Sequence, residues 1–263
     1  MLPEARRRHL LSYLARVGSA TILDLSVRYH VSSMTIRRDL KKMQNEGLVT
    51  LTHGGAVFEG GAPARREIQR LTRDHIRADE KRAIGRHAAM CFVKDNDVLL
   101  LGAGSTVRAI VPFLNRKRNL LVVSNSLPTL ELLRKTLSCA TVIGTGGQLH
   151  ADSSSLVGPV TERFFEDFFT RVAFISGAGL SLRAGLTDAQ LLEASVKGAM
   201  IRSAEKTVVL LDSSKFATTA AAQVLAIDQI DTIVTDAGIA PQVHGMLLDM
   251  GIDLQVAPLP ALS

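Results

Sequence analysis

The chain has 263 residues, of which 46% are hydrophobic and 21% are charged, and its formal net charge is +6. This length exceeds the usual single-domain size, so we expect two units of unequal size. No uninterrupted apolar run reaches the roughly 18 to 20 residues that a membrane helix needs, and the start of the chain passes straight into charged sequence. These features argue against a membrane protein, and we expect a cytoplasmic location.

Cysteine and histidine usage argues against a metal centre. Cys91 and Cys139 lie far apart and form no CxxC pair, and the seven histidines have no HExxH spacing. We therefore expect no disulfide, no structural metal and no cofactor.

The positive charge is concentrated near the amino end. Residues 1–58 hold nine Lys/Arg against four Asp/Glu, whereas the other 205 residues hold 22 against 21. This distribution predicts a basic, partner-binding unit attached to a nearly neutral body.

Three helices are predicted within the first 47 residues. Apolar positions repeat at helical spacing over residues 4–17, and Gly18 is placed to end that helix. Thr21 followed by Asp24 resembles an N-cap with its acidic partner, so a short second helix is expected. Ser32 is a good N-cap for a third helix, which we expect to end at Gly47.

A small wing follows the third helix. Residues 48–58 alternate apolar and polar positions around Gly54 and Gly55, whose freedom at positive φ suits a tight hairpin turn. Glycine and proline then gather in residues 59–63, which is typical of a linker. We place a basic winged domain at residues 1–58, a linker at 59–76 and a second domain at 77–263.

Apolar runs alternate with helical stretches in the second domain, after a charged helical segment at residues 65–92 with Ile68, Leu71, Ile76 and Ile84 as its packing positions. The runs are DVLLL, NLLVVS, ATVIG, RVAFIS, TVVLLD, DTIVT and IDLQVA. Such alternation predicts an α/β domain with a mostly parallel sheet.

The third helix carries a cationic face opposite its apolar one. Ile36, Leu40 and Met43 share one side at 100° per residue. A solvated surface is the alternative interpretation, but the preceding short helix and the following wing favour insertion into the DNA major groove. We predict that Ser33, Thr35 and Arg37 reach base edges, and that Arg38, Lys41 and Lys42 neutralise phosphates.

The stretch VSSMTIRRDLKKMQNEGLV, followed by THGGA, resembles the winged helix-turn-helix of the DeoR family of bacterial transcriptional regulators. The resemblance implies that TIRRDL lies on the recognition helix, that HGGA lies at the wing, and that the partner is double-stranded DNA. Relatives often carry arginine where this chain has Thr50 and Leu51. His53 is left with two roles, a contact to the DNA backbone or shaping of the turn, and we favour the turn.

Polar and glycine-rich segments follow several predicted strands of the second domain. Ligands collect at the carboxyl ends of strands in open α/β sheets. Lys215 is a cation placed to bind a phosphate, and Ser105, Thr106 and Asn125 offer hydrogen bonds to a polyhydroxylated ligand. Tight turns that need no ligand are the alternative, above all for Gly102 and Gly104.

The order of motifs in the second domain, from GAGST and VVSNS to LLDSSKF and IDTIVTD, resembles the DeoR sensor domain. This resemblance implies a fold similar to ribose phosphate isomerase, glucosamine phosphate deaminase and CoA transferases, and a phosphorylated sugar or related metabolite as effector. It assigns the effector to Gly104, Ser105, Thr106, Asn125, Gly147 and Lys215. Gly102 stands where the family commonly has an aspartate, so an acidic hydroxyl-binding group is missing there.

The resulting hypothesis is a repressor of a carbohydrate-metabolism operon, active as a homodimer or homotetramer. A sugar-phosphate isomerase or deaminase with an accessory basic domain is the rival. The carboxylates that could serve such an enzyme are Asp152, Asp188, Glu193 and Asp212. Their spacing does not indicate catalysis, so we expect no enzyme and no catalytic residues. A constitutive DNA binder whose second domain only oligomerises is the third possibility.

Overall fold

The computed structural model describes residues 2–61, 68 and 72–258. The chain divides into two compact units, Met1–Ile76 and Arg77–Ser263. Parts of the predicted linker and of the predicted helical segment at 65–92, including Leu71, lie outside the described residues. The boundary expected after residue 58 therefore stays a prediction.

Among residues 2–61, the first unit contains three helices and a three-stranded antiparallel sheet whose middle strand is the last of the three in the chain. The three predicted helices are confirmed, whereas β1 was not predicted. In chain order the elements are α1 (Pro3–Val17), β1 (Ser19–Thr21), α2 (Ile22–Tyr29), α3 (Ser33–Asn45), β2 (Val49–Leu51) and β3 (Gly55–Phe58).

Side-chain caps fix where α2 and α3 begin. The Thr21 hydroxyl accepts a hydrogen bond from the Asp24 N–H at 3.1 Å and donates to the Asp24 carboxylate at 2.7 Å. Ser32 accepts from the Thr35 N–H at 3.2 Å. His30 takes the left-handed conformation between the two helices, with φ of 51°. Capping and this turn set α3 against the other helices, where its apolar side joins the core of the unit.

The glycines of the hairpin act differently from the prediction, because neither Gly54 nor Gly55 has a positive φ. A Cβ on Gly55 would lie 2.2 Å from the carbonyl oxygen of Ala20, whereas a Cβ on Gly54 would meet nothing within 4 Å. Gly55 is therefore required by the close approach of β1 to β3, which the sequence pattern did not reveal.

The second unit is built around a seven-stranded sheet of order β15-β14-β12-β9-β4-β5-β6, in which every neighbouring pair is parallel. The predicted α/β fold class is confirmed, and each of the seven apolar runs supplies one strand. The strands are β4 (Val98–Leu101), β5 (Leu121–Ser124), β6 (Thr141–Gly144), β9 (Thr170–Ile175), β12 (Ala204–Leu210), β14 (Thr232–Asp236) and β15 (Asp253–Ala257).

Helices connect these strands and cover the sheet. They are α4 (Ala78–Phe92), α5 (Ser105–Arg108), α6 (Val111–Leu114), α7 (Leu127–Thr136), α8 (Pro159–Phe164), α9 (Leu191–Arg202) and α10 (Pro241–Asp249). Leu99 and Phe174 belong to one hydrophobic cluster, and their chain neighbours Leu100 and Ile175 belong to a second. Burial of alternate residues in two clusters explains why the strands are continuously apolar.

Short antiparallel strands lie outside the large sheet, and none of them was predicted. They form a pair, β7 (Gln148–His150) with β8 (Ser155–Val157), and a three-stranded sheet of β10 (Gly179–Ser181), β11 (Gly185–Asp188) and β13 (Ala222–Leu225). The backbone of β8 is joined to the end of β5, because the Leu156 N–H donates to the Asn125 carbonyl at 2.7 Å.

Candidate nucleic-acid interface and effector site

The two sides of α3 differ sharply in exposure. Ile36, Leu40 and Met43 are buried, as the helical pattern predicts. The exposed residues of α3 include Ser33, Met34, Arg37, Arg38, Lys41 and Lys42. Among the described residues, none of these four cations has an ion-pair partner. Their charge is therefore available to an anionic ligand.

Thr35, predicted to read bases, is partly committed to the start of the helix. Its hydroxyl lies 3.0 Å from the Ser32 hydroxyl, and its backbone N–H is capped by the same atom. The side chain is half-buried. Thr35 thus belongs to the cap that orients the exposed neighbours Ser33 and Arg37.

Three basic residues elsewhere in the first unit have partners within it. The Arg6 Nε lies 2.6 Å from the Asp39 Oδ2, and both side chains are buried. The guanidinium groups of Arg16 and Arg28 lie 5.6 and 4.3 Å from the centre of the Tyr13 ring. Such cation–π contacts hold the two arginines against the aromatic face. The pairings of Arg6 and Arg28 were missed from the sequence because they join residues on different helices.

His53 lies at the exposed tip of the hairpin between β2 and β3. The turn is closed by backbone hydrogen bonds, from the Thr52 N–H to the Gly55 carbonyl at 3.0 Å and from the Ile22 N–H to the Gly54 carbonyl at 2.8 Å. Within the described residues the imidazole makes no hydrogen bond. Its ring nitrogens are accordingly free to meet a phosphate.

The second unit has a topological switch point between β4 and β9. From β4 the chain proceeds to β5 and β6 on one side, and the later strands β9, β12, β14 and β15 occupy the other side. In open α/β sheets a crevice forms outside the carboxyl ends of the strands at such a point. The carboxyl ends carry the predicted effector residues: Gly104, Ser105 and Thr106 after β4, Asn125 after β5, and Lys215 after β12.

The loop after β4 approaches β9 closely. The Gly102 N–H donates to the Phe174 carbonyl at 2.9 Å, and a Cβ on Gly102 would lie 3.3 Å from that oxygen. Gly104 has φ of 150°, and its Cβ would lie 3.4 Å from the Ser176 Cβ. Tight packing of this loop explains both glycines and leaves no carboxylate at position 102.

Asn125 joins two strand ends and is almost fully buried. Its Nδ2 donates to the Leu156 carbonyl at 3.0 Å. Its Oδ1 has no hydrogen-bond partner among the described residues. The Nδ2 of the amide therefore holds β5 and β8 together, whereas the Oδ1 remains available to accept a hydrogen bond.

Gly147, the fifth predicted effector residue, has a structural reason of its own. Its φ is 115°, and a Cβ there would lie 2.1 Å from the Thr161 Oγ1. The same Thr161 hydroxyl donates to the Gly146 carbonyl at 2.7 Å. Close packing of this loop against α8 thus requires glycine whether or not a ligand binds.

Lys215 is the last residue of a short 3-10 helix, Ser213–Lys215. The residues that hold this helix in place were not predicted from the sequence to act together. The Asp236 carboxylate accepts a hydrogen bond from the Ser213 N–H at 2.7 Å. The Arg77 guanidinium donates to the Ser213 hydroxyl at 2.7 Å. It also lies 3.3 Å from the Asp236 carboxylate and 3.6 Å from the Asp212 carboxylate. Burial alone would raise the pKa of Asp236, but the hydrogen bonds from Ser213 and Gly238 and the Arg77 charge hold this pKa below its ordinary value.

The four carboxylates considered under the alternative enzyme hypothesis lie in different surroundings. Asp188 forms an ion pair with the buried Lys197, and Glu193 accepts a hydrogen bond from the buried Ser155. Asp212 accepts from the Ser214 N–H at 3.2 Å. Asp152 lies in the exposed turn between β7 and β8. Ser155 and Lys197 were missed, because their significance depends on pairing between distant segments.

Cysteines and possible metal ligands are dispersed in the structure. Cys91 and Cys139 are both free and exposed. Within the part of the chain that the structure describes, no group of three or more His, Cys, Asp or Glu side chains could hold a metal ion. Among the same residues, no helix combines the length and the apolar character needed to span a membrane.

The first unit is a winged helix-turn-helix with an exposed cationic face, and the second is a parallel α/β domain with polar residues at its strand ends. This combination defines the class of ligand-responsive DNA-binding regulators. Comparison with known families agrees with this class. Residues 6–60 match the DeoR-like helix-turn-helix domain, and residues 76–237 match the DeoR C terminal sensor domain. The chain belongs to the DeoR family of transcriptional regulators.

Full-length relatives carry names of the same kind. The chain is 31% identical to the uncharacterized HTH-type transcriptional regulator YgbI of Escherichia coli, over 98% of this chain and 99% of the relative. It is 31% identical to the L-fucose operon activator of Haemophilus influenzae, over 86% and 89%. A putative aga operon transcriptional repressor of Escherichia coli O157:H7 is 25% identical, over 89% of this chain and 86% of the relative. The relatives are named as regulators and not as enzymes, which confirms the prediction of a regulator.

Solved structures resemble part of the fold. Ribose 5 phosphate isomerase A from Neisseria gonorrhoeae aligns with 53% of this chain and 54% of its own, at 21% identity and a TM-score of 0.37.

Proposed function

We propose that this DeoR-family protein represses a carbohydrate-metabolism operon in the cytoplasm and leaves its operator when a phosphorylated sugar binds the second unit. Relatives named for the fucose and aga operons support the metabolic class. Their names include an activator and a repressor, so the direction of control needs a transcription measurement.

The exposed cationic face of α3 is the single observation that carries the DNA-binding proposal. Ser33 and Arg37 lie near the amino end of the helix and are proposed to contact base edges. Arg38, Lys41 and Lys42 lie further along and are proposed to contact phosphates, together with His53 at the wing tip. Arginine reads guanine through two hydrogen bonds in the major groove, whereas phosphate contacts carry no sequence information.

The effector proposal rests on the charge balance around Lys215. The nearby carboxylates of Asp212 and Asp236 are occupied by Arg77 and by N–H and O–H donors of the loop. Among the described residues the Lys215 ammonium has no ion-pair partner, so its charge remains to bind a phosphate. Gly104, Ser105, Thr106, Asn125 and Gly147 are proposed to line the rest of the site.

A homodimer or homotetramer is proposed because a single recognition helix covers only one half-site. Two-fold symmetric helix-turn-helix proteins read half-sites about 34 Å, or a multiple of it, apart. The effector alters binding only if it prefers one conformational state of the protein over the other.

The experiment is a fluorescence anisotropy titration on DNA from upstream of the protein's own coding sequence, with a shuffled fragment as control. Binding of the upstream fragment at least about a thousandfold tighter than the shuffled one is expected for specific recognition. Equal binding to both fragments would contradict an operator-specific regulator. Transcription in vitro from the same fragment, with and without the protein, then distinguishes repression from activation.

A further inference from the structure

Two buried oxygen atoms in the second unit lack hydrogen-bond partners among the described residues. Glu193 is 3% exposed and Asn125 is 1% exposed. The Glu193 Oε2 and the Asn125 Oδ1 accept no hydrogen bond there. Buried polar atoms are nearly always hydrogen-bonded, because losing water without gaining a partner is costly. Both orphaned atoms are acceptors, so both need a donor.

The two acceptors are brought together by β8. The Ser155 hydroxyl donates to the Glu193 Oε1, and the next residue, Leu156, exchanges hydrogen bonds with Asn125. Glu193 and Asn125 are thus anchored one residue apart on the same strand. Asn125 directly follows β5, so the pair lies at the carboxyl ends of the strands, where the other proposed effector residues lie.

The neighbouring side chains that carry hydrogen-bond donors contact other partners. The Asn125 Nδ2 points to the Leu156 carbonyl, which fixes the amide orientation and leaves Oδ1 as the open atom. The Ser155 hydroxyl proton goes to Glu193, so in the Ser153–Ser155 contact at 2.8 Å Ser153 is the donor. The Lys197 ammonium, one helical turn after Glu193, is paired with Asp188.

We propose that Glu193 and Asn125 each accept a hydrogen bond from a hydroxyl group of the effector. This inference rests on the proposed function and narrows it to a polyhydroxylated phosphate, such as a sugar or polyol phosphate with free hydroxyls remote from the phosphate. α9 in this way supplies the hydroxyl-binding carboxylate that Gly102 does not provide. A site built to pair hydroxyls rejects analogues that lack them, because its buried acceptors are then left unpaired.

The test is isothermal titration calorimetry on the full-length chain with three probes. Ethyl phosphate has no free hydroxyl, glycerol 3-phosphate has a short hydroxylated chain, and ribitol 5-phosphate has a longer one. Affinity is expected to rise along this series, with ribitol 5-phosphate at least about tenfold tighter than ethyl phosphate. This series uses the native protein, so it decides the matter even if a variant does not fold.

Glu193→Gln is the matched variant, since it keeps the size of the side chain and an oxygen for Ser155 but puts an N–H donor in place of the open acceptor. We expect it to lose the preference for ribitol 5-phosphate while ethyl phosphate binds as before. Glu162→Gln, on the partly exposed side of α8, is the control and is expected to keep the preference. Circular dichroism verifies that both variants fold.

Failure of this inference is distinguishable from failure of the phosphate proposal. Equal affinity of wild-type protein for ethyl and ribitol phosphates, or an undiminished preference in folded Glu193→Gln, overturns the hydroxyl assignment while phosphate binding stands. If no phosphate ester binds, the phosphate proposal fails and unphosphorylated ribitol becomes the probe. Ribitol binding that Glu193→Gln abolishes then supports the role of Glu193, and absence of ribitol binding overturns it.

Discussion

The guanidinium Nε of Arg6 lies 2.6 Å from the carboxylate Oδ2 of Asp39, and this pair ties α1 to the buried side of α3. Asp39 occupies the core side between Ile36 and Leu40. The carboxylate is thereby turned away from the exposed cations on the same helix. One buried ion pair both orients α3 and keeps a negative charge off its exposed cationic side.

Asp39→Ala is expected to destabilise the first unit by about 3 to 5 kcal/mol, because removing one partner of a buried ion pair is strongly destabilising. The chain has two tyrosines, Tyr13 and Tyr29, and no tryptophan. Both tyrosines lie in the first unit, so tyrosine fluorescence during urea unfolding of the full chain follows that unit. The double variant Arg6→Met/Asp39→Leu is expected to recover most of the loss. A cost below about 1 kcal/mol for Asp39→Ala would be incompatible with a pair that orients α3.

Gly55→Ala is expected to destabilise the wing by about 1 to 3 kcal/mol, as overpacking commonly does. The added methyl group would sit 2.2 Å from the Ala20 carbonyl oxygen and push β1 from β3. Gly54→Ala is the matched control, since its methyl group would meet nothing within 4 Å. The same tyrosine signal measures both variants. Equal stability of the two would show that β1 does not need close contact with β3.

The elements that could be predicted are those whose signal is local. The strands of the large sheet are unbroken apolar runs because both faces are covered, and α3 has a helical period, a serine cap and a glycine after its end. β1 could not be found, because Ser19–Thr21 has only three residues and pairs with a strand more than thirty residues later. β7 and β8 are equally short and depend on pairing for their existence.

The residues of the candidate sites also differ in whether a local sequence signal reveals them. Arg38, Lys41 and Lys42 were predictable because helical spacing alone places them opposite the core. Arg77 and Glu193 were not assigned binding-site roles, because their importance comes from partners more than thirty residues away. Long-range hydrogen bonds leave no trace in local periodicity.

Arg37→Ala is expected to weaken operator binding by about 1 to 3 kcal/mol and shuffled DNA much less, because base contacts discriminate between sequences. Anisotropy titrations on the two fragments at equal salt measure the difference. An equal loss on both fragments would remove the base-reading role of Arg37.

Lys42→Ala is expected to weaken binding to both fragments similarly and to lower the slope of log affinity against log salt by about one, as loss of one phosphate contact does. Titrations at several salt concentrations give this slope. An unchanged slope would exclude a phosphate contact by Lys42.

Asp236→Asn is expected to destabilise the second unit near neutral pH by about 1.5 to 3 kcal/mol, the usual contribution of hydrogen bonds to a charged group. The folded pKa of Asp236 is lowered, so its stabilisation is fully present above the ordinary aspartate value of about 3.9 and is lost as pH falls through the folded value. Urea unfolding followed by circular dichroism at about pH 6 and about pH 3 measures the change.

The difference between wild type and Asp236→Asn should shrink at the lower pH, because the Asp236 carboxylate becomes increasingly protonated and so, like asparagine, uncharged. A difference that stays constant or grows on acidification would mean that the charge of Asp236 does not stabilise the Lys215 loop.

The most direct measurement of coupling between the two units is the fraction of operator bound against the concentration of ribitol 5-phosphate and other sugar phosphates. Wild-type protein and Lys94→Ala, which removes an exposed cation before the amino end of β4, should both be released by an active compound. Lys215→Ala should bind the operator with unchanged affinity and resist release. Release of Lys215→Ala at the same concentration as wild type would contradict a phosphate-binding sensor that governs the DNA-binding helix.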